Sequence, residues 1–227
     1  MRLTPPDNFY FTVTAWELAS LRHLHRAVEE NIEDVLERYG VDDGRGNLVA
    51  DLSLLMVEPR VKPLFRIPVL TSAWSLYEAC LIDTAHFFAT RVGLPYSVDS
   101  HPDHVAAPLQ KRWRKWDVIR RAKHFFEREL DVQLNPTAED ERSLHALREL
   151  RNVLAHTGGR CSVSRQKDWS RLARIASGAI GLDISTGFVV PSREFVNAQL
   201  DLVDRCSAFF VRGAQRVLVE RNLLTRM

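Results

Sequence analysis

Cysteine is scarce in this 227-residue chain, and the three that occur, Cys80, Cys161 and Cys206, are an odd number with no Cys-x-x-Cys spacing. Neither a disulfide framework nor a thiolate metal site is expected, and the compartment reads as reducing. Long apolar runs are missing too. No uncharged stretch approaches the roughly 20 residues a helix needs to cross a bilayer, and residues 1–6 lack the apolar core and cleavage site of a secretion signal. A cytoplasmic protein with no membrane segment is the expectation. Lysine is the third scarcity, supplying 5 of the 31 cations against 26 arginines. A guanidinium offers the planar donor fork that grips phosphate or carboxylate, although a GC-rich coding sequence produces the same bias. A net charge of +2 with mixed signs excludes any argument for a polyanion partner from bulk electrostatics alone. What is plentiful is hydrophobic residues, 45% of the chain, ample for a continuous core without staples.

Periodicity then divides the chain. A first helix is predicted over residues 14–38, with Leu18, Leu21, Leu24, Val28, Ile32, Val35 and Leu36 near helical spacing and Gly40, Gly44 and Gly46 ending it. Residues 40–66, holding Pro59 and Pro63, read as a connector in which 52–57 is an apolar patch or a brief turn of helix. A second helix is predicted over 68–92. Its apolar face runs through Leu70, Ala73, Trp74, Tyr77, Leu81, Ala85 and Phe88, is extended by Val69, Leu76, Cys80 and Phe87, and stops at Gly93 and Pro95. Residues 95–108 read as a loop, and a third helix as spanning 113–130. Thr137 is the predicted N-cap of a fourth helix, with Asp140 three positions on. That helix runs over 138–156 and ends at Thr157-Gly158-Gly159. A short helix over 168–177, a hairpin of 180–184 and 187–190 around Ser185-Thr186, and a last helix over 192–221 complete the chain. The expected fold is all-α: one domain over 1–227, a bundle of four or five long helices with a small appended β-hairpin.

Winding the fourth helix at about 100° per residue separates two faces. Leu144, Leu147, Leu150 and Leu154 form the buried stripe, while His145, Glu149, Asn152 and His156 fall together on the other side through spacings of four, three and four. An amide and an imidazole thus stand side by side. Arg151 projects at the margin of the leucine stripe, where its charge must find a partner or stay wet. Glu78, at the edge of the apolar face beside Trp74, Leu81 and Ala85, is the expected partner. Histidine is the side-chain type whose unperturbed pKa lies near neutrality, so His156 can take a proton from an RNA 2′-hydroxyl or give one to a leaving 5′-oxygen. Arg151 would hold the phosphate and Asn152 would orient substrate or imidazole, a scheme that requires no metal or cofactor. The competing explanation needs no substrate: a histidine in a helix's last turn favours the negative end of the dipole.

The segment Arg151-Asn152-Val153-Leu154-Ala155-His156, an arginine followed by a polar residue with a histidine four to six positions after the arginine, resembles the signature of the HEPN superfamily. Glu78 looks like the acidic residue that an earlier helix often turns toward that motif. The resemblance extends over about residues 67–221, with residues 14–38 outside it, and the hairpin before the last helix is similar to the branch related to ribonuclease LS. It implies a metal-independent endoribonuclease leaving a 2′,3′-cyclic phosphate and a 5′-hydroxyl, in a toxin, phage-defence or RNA-processing setting. It also implies a homodimer, a possible antitoxin or regulatory protein as partner, and catalytic roles for Arg151, Asn152, His156 and Glu78. Some members of the superfamily are non-catalytic modules, so a helical module binding RNA or protein stays open as the alternative.

A second RNA-directed feature is the cationic strip at 110–124, where Lys111, Arg112, Arg114, Lys115, Arg120, Arg121 and Lys123 face only Asp117 and interleave with Trp113 and Trp116. Arginines on phosphate with an indole on a base would suit single-stranded RNA. Arg120 and Arg121 are the predicted contacts, the tryptophans being expected to pack inward. His101-Pro102-Asp103-His104 lacks a third ligand at metal spacing, and Gly44-Arg45-Gly46 lacks the flanking strand and helix of a phosphate loop.

Overall fold

The computed structural model describes residues 9–38, 40–42, 48–50, 52–93, 98, 102–157, 159, 166–184 and 188–221. Among them are seven α-helices: α1 (Phe9–Arg38), α2 (Leu52–Val92), α3 (Ala107–Trp113), α4 (Val118–Lys123), α5 (Ala138–Thr157), α6 (Gln166–Ser177) and α7 (Arg193–Glu220). Two small antiparallel hairpins accompany them, β1 (Gly40–Asp42) with β2 (Leu48–Ala50) and β3 (Leu182–Asp183) with β4 (Val190–Pro191). The expected all-α class with a small β-hairpin is what the chain adopts, and the hairpin at 40–50 is an addition to it. No helix among the described residues is long and apolar enough to cross a membrane.

Three predicted boundaries are corrected. The second helix begins at Leu52, so α2 runs for 41 residues straight through Pro59, Pro63 and Pro68, and the expected connector over 52–66 is helix. Proline lacks the N–H that would bond four residues back and crowds that carbonyl, which is why these residues read as stops. Helical stability comes mainly from packing, however, and Pro63, Arg66, Val69, Leu70, Ala73 and Trp74 are all buried. The third helix is broken. Pro108 lies at the start of α3, where its fixed φ is an asset, and Asp117 restarts the chain as N-cap of α4, its carboxylate accepting from Arg120 N at 2.9 Å. A six-residue π-helical turn, His124–Glu129, follows. Finally, β4 includes Pro191, which pairs with Leu182, whereas the predicted turn at Ser185-Thr186 lies outside the described residues. Elsewhere Gly93, at φ +68°, stops α2 where expected.

The chain divides into two compact units. Unit 1 comprises Met1–Glu17, Ser75–Ser143 and Leu202–Met227. Its buried side chains include an aromatic chain in which Phe126 meets Phe88 at 6.1 Å and Phe210 at 5.2 Å, edge to face. Cys80 and Cys206 are buried free thiols there, and burial pushes them up to about 11 and about 12 respectively, so both stay protonated.

Unit 2 comprises Leu18–Trp74 and Leu144–Asp201. The stripe predicted for the first helix is displaced here: Leu24 is 56% exposed while His25 and Glu29 are 3% and 2% exposed. Glu29 meets Arg66 of α2 in a bidentate pair, Nε to Oε1 and Nη2 to Oε2 both at 2.6 Å, and Arg66 Nη1 donates to the Pro191 carbonyl at 2.9 Å. Burial raises the Glu29 carboxyl, but the Arg66 hydrogen bonds and charge outweigh it and hold it below the usual range. Burial lowers His25, against the pull of Glu29 and with help from Arg66 and Arg193.

Both shifts leave the folded state binding fewer protons than the unfolded chain. Glu29 contributes stability that is present above the unfolded carboxyl value of about 4.3 and lost as pH falls through its lower folded value. His25 contributes stability present above the unfolded histidine value of about 6.5 and lost as pH falls below it. Urea denaturation at a series of pH values should therefore show stability declining below about pH 6.5, with His25→Leu flattening the first part of the slope. Glu29→Gln should lower stability by about 3–5 kcal/mol near neutrality, because Arg66 is left buried without its counter-charge.

Candidate functional site

Helix α5 carries the motif, and its start is built as predicted. Thr137 Oγ1 accepts from Asp140 N at 3.0 Å and donates to Asp140 Oδ2 at 2.9 Å. Thr137 thus caps the helix through its hydroxyl, which also holds the Asp140 carboxylate. Arg205 also donates to Asp140, and its hydrogen bond is the main reason the carboxyl sits below the usual range.

The two faces of α5 are those expected from winding. Leu144, Leu147, Leu150 and Leu154 are each at most 2% exposed, and Val153 is buried beside them. Arg151 and Asn152 are half-buried, and His156 is exposed in the last turn. Neighbouring residues on a helix do not normally face each other, yet Arg151 Nη1 reaches across to donate to Asn152 Oδ1 at 3.1 Å. The guanidinium is thus drawn toward the face that Asn152 shares with His156. Glu149, on that same face, is paired with Arg174 of α6 at 2.8 Å. These residues all belong to unit 2, whereas Glu78 is a half-buried residue of α2 in unit 1.

Beyond His156 the helix is closed by Thr157, whose hydroxyl donates to the Val153 carbonyl at 2.9 Å. The chain then turns at Gly159, buried at φ +79°. A Cβ there would run into the Ile67 side chain, and the Gly159 carbonyl accepts from Val189 N at 2.8 Å.

The cationic strip lies in unit 1 and is split by the α3–α4 break. Trp113 is fully buried, as expected, and Trp116 is half-buried. Trp116 lies 5.4 Å from the His124 ring, whose Nδ1 is buried without a hydrogen-bond partner and whose pKa burial lowers. Arg121 is tied into this cluster. Its Nε donates to Trp116 O at 3.0 Å, its Nη1 to Val98 O at 3.5 Å, and its guanidinium lies 5.7 Å from the Trp113 ring centre. Arg120 is exposed, 5.8 Å from the Trp116 ring centre, and Lys111, Arg112 and Lys115 are exposed near it in sequence. Lys123 is held by Glu141 at 2.7 Å, and Arg114 by Asp103 at 3.1 Å. A 760 Å³ surface hollow of unit 1 between residues 130–133 and the C-terminal part of α7 contains none of the predicted site residues.

The residues that sequence reasoning missed are His25, Glu29 and Arg66. A signal was present: His25 and Glu29 follow Leu18 at seven and eleven positions, on the stripe that faces the core. No protein-family model matches the chain, and neither a curated protein nor a solved structure matches it.

Thr137→Ala should remove the cap of the helix that bears the motif. The expected cost is about 1 kcal/mol, read from the denaturation midpoint, with faster amide exchange confined to the first turn of α5.

Proposed function

We propose that Arg151, Asn152 and His156 form the active site of a metal-independent, HEPN-type endoribonuclease. The single observation that carries this is the 3.1 Å bond from Arg151 Nη1 to Asn152 Oδ1, one turn before the exposed His156. It brings the guanidinium toward the imidazole's side of α5, which a solitary helix-terminal histidine has no need of.

In the reaction, His156 takes the proton of an RNA 2′-hydroxyl while water protonates the departing 5′-oxygen, or His156 delivers that proton while water takes the one from the 2′-hydroxyl. The 2′-oxygen attacks phosphorus, the bond to the 5′-oxygen breaks, and the products are a 2′,3′-cyclic phosphate and a 5′-hydroxyl. Arg151 stabilises the charge that builds on the phosphoryl oxygens, with Asn152 holding its fork. Glu78 of unit 1 is the remaining member of the set that the family resemblance implies. Arg120, exposed beside Trp116, is the better placed of the two strip arginines for an RNA backbone, since two donors of Arg121 are taken by carbonyls. A homodimer, a restraining antitoxin or other regulatory protein, and a cytoplasmic setting complete the proposal.

The test is cleavage of structured and unstructured RNA by the purified protein in EDTA. Wild type should cut and leave 2′,3′-cyclic ends. His156→Ala and Arg151→Ala should each lose about 10²–10⁴-fold in rate, and Asn152→Ala less. Intact RNA throughout, or equal cleavage by the variants, would remove the ribonuclease assignment. RNA retention without cleavage, weakened by Arg120→Ala, would assign a binding module instead.

A further inference from the structure

The end of α5 is held from outside the helix as well as by Thr157. Gly159, three residues past His156, is gripped from two sides within unit 2. Ile67 of α2 packs where its side chain would be, and Val189 N donates to its carbonyl at 2.8 Å. Both grips lead to one group. Ile67 follows Arg66 in the chain, and Val189 precedes β4, whose Pro191 carbonyl accepts from Arg66 Nη1 at 2.9 Å. Arg66 is in turn locked by Glu29 of α1, which takes two further donors at 2.6 Å.

We infer that Glu29 and Arg66 are positioning residues for His156: the buried pair clamps β4 to α2, and the clamp fixes the turn on which the last turn of α5 ends. This rests on the assignment of His156 as the reacting imidazole. The third bond satisfies a buried donor and at the same time ties the pair to β4, so the pair joins a helix to the strand next to Val189. Arg66 is 7% exposed and Glu29 2%, so neither reaches substrate, and their effect passes through geometry. A displacement of about 1 Å at a reacting group can cost roughly a hundredfold in rate.

Two variants separate the clamp from overall stability. Glu29→Leu/Arg66→Met replaces the pair by apolar groups, an exchange that folded proteins often tolerate. Arg66→Lys keeps a charge opposite Glu29 and lacks the second donor arm that reaches Pro191. Amide exchange of Val189 N–H, with Asp140 N–H in the α5 cap of unit 1 as reference, reports whether the loss is local. The His156 ring signals in an NMR spectrum report its position.

In both variants Val189 should exchange about tenfold faster or more while Asp140 keeps its protection, and the His156 signals should move. On RNA in EDTA, kcat should fall by roughly ten- to a hundredfold with KM little changed. Unchanged exchange at Val189, equal loss at Asp140, or unmoved His156 signals would overturn the inference. If wild type does not cleave RNA, the ribonuclease assignment fails, whereas the exchange and ring-signal results still decide whether the clamp holds His156.

Discussion

A buried arginine must be surrounded before it can be afforded, and in unit 2 the surroundings of Arg66 account for much of the local architecture. Its five donors cannot be left dry and unpaired. Three of them are met by two oxygens of Glu29 and one of Pro191, so that α1, α2 and β4 converge on one planar group. The pairing also explains why α2 continues past prolines that would end an isolated helix. Pro63 is buried, and although Pro68 is exposed, Arg66, Val69 and Leu70 beside it are buried, a packing that outweighs the local penalty of the rings.

How far the fold could be read from sequence follows the same division between local and non-local causes. Gly93, the Thr137 cap with Asp140 three positions on, and the leucine stripe of α5 act through residues within a turn or two, and each did what its spacing implied. The start of α2 and the buried face of α1 depend on partners 37 to 125 positions away, which no window of periodicity contains. Leu24 was counted with the apolar stripe and stands in solvent, and His25 was passed over and lies in the core, one turn before the Glu29 that Arg66 pairs with. Asp117 is a different case. Its capping chemistry is local and legible, and it was masked by the continuity of the apolar positions on either side.

For the candidate site, winding α5 anticipated that Asn152 and His156 would share an open face and that Arg151 would stand apart from them. It did not anticipate the bond that bends Arg151 back to Asn152, since a helical wheel places Cα positions and says nothing of where a long side chain ends. In the cationic strip the charges were counted correctly, but their use was not. Arg121, Lys123 and Arg114 are all engaged with the protein itself, and only packing could distinguish them from Arg120.

The division of the chain has a consequence for anyone wishing to take the protein apart. Helices α1, α2, α5 and α7 each supply residues to both units, which draw on three and two separate stretches of sequence. No single scission releases either unit as a contiguous fragment. A gene truncated anywhere between residues 18 and 201 removes pieces of both, so a deletion ending there leaves neither unit whole. Only rewired chains, permuted or joined by new linkers, could isolate one unit for separate study.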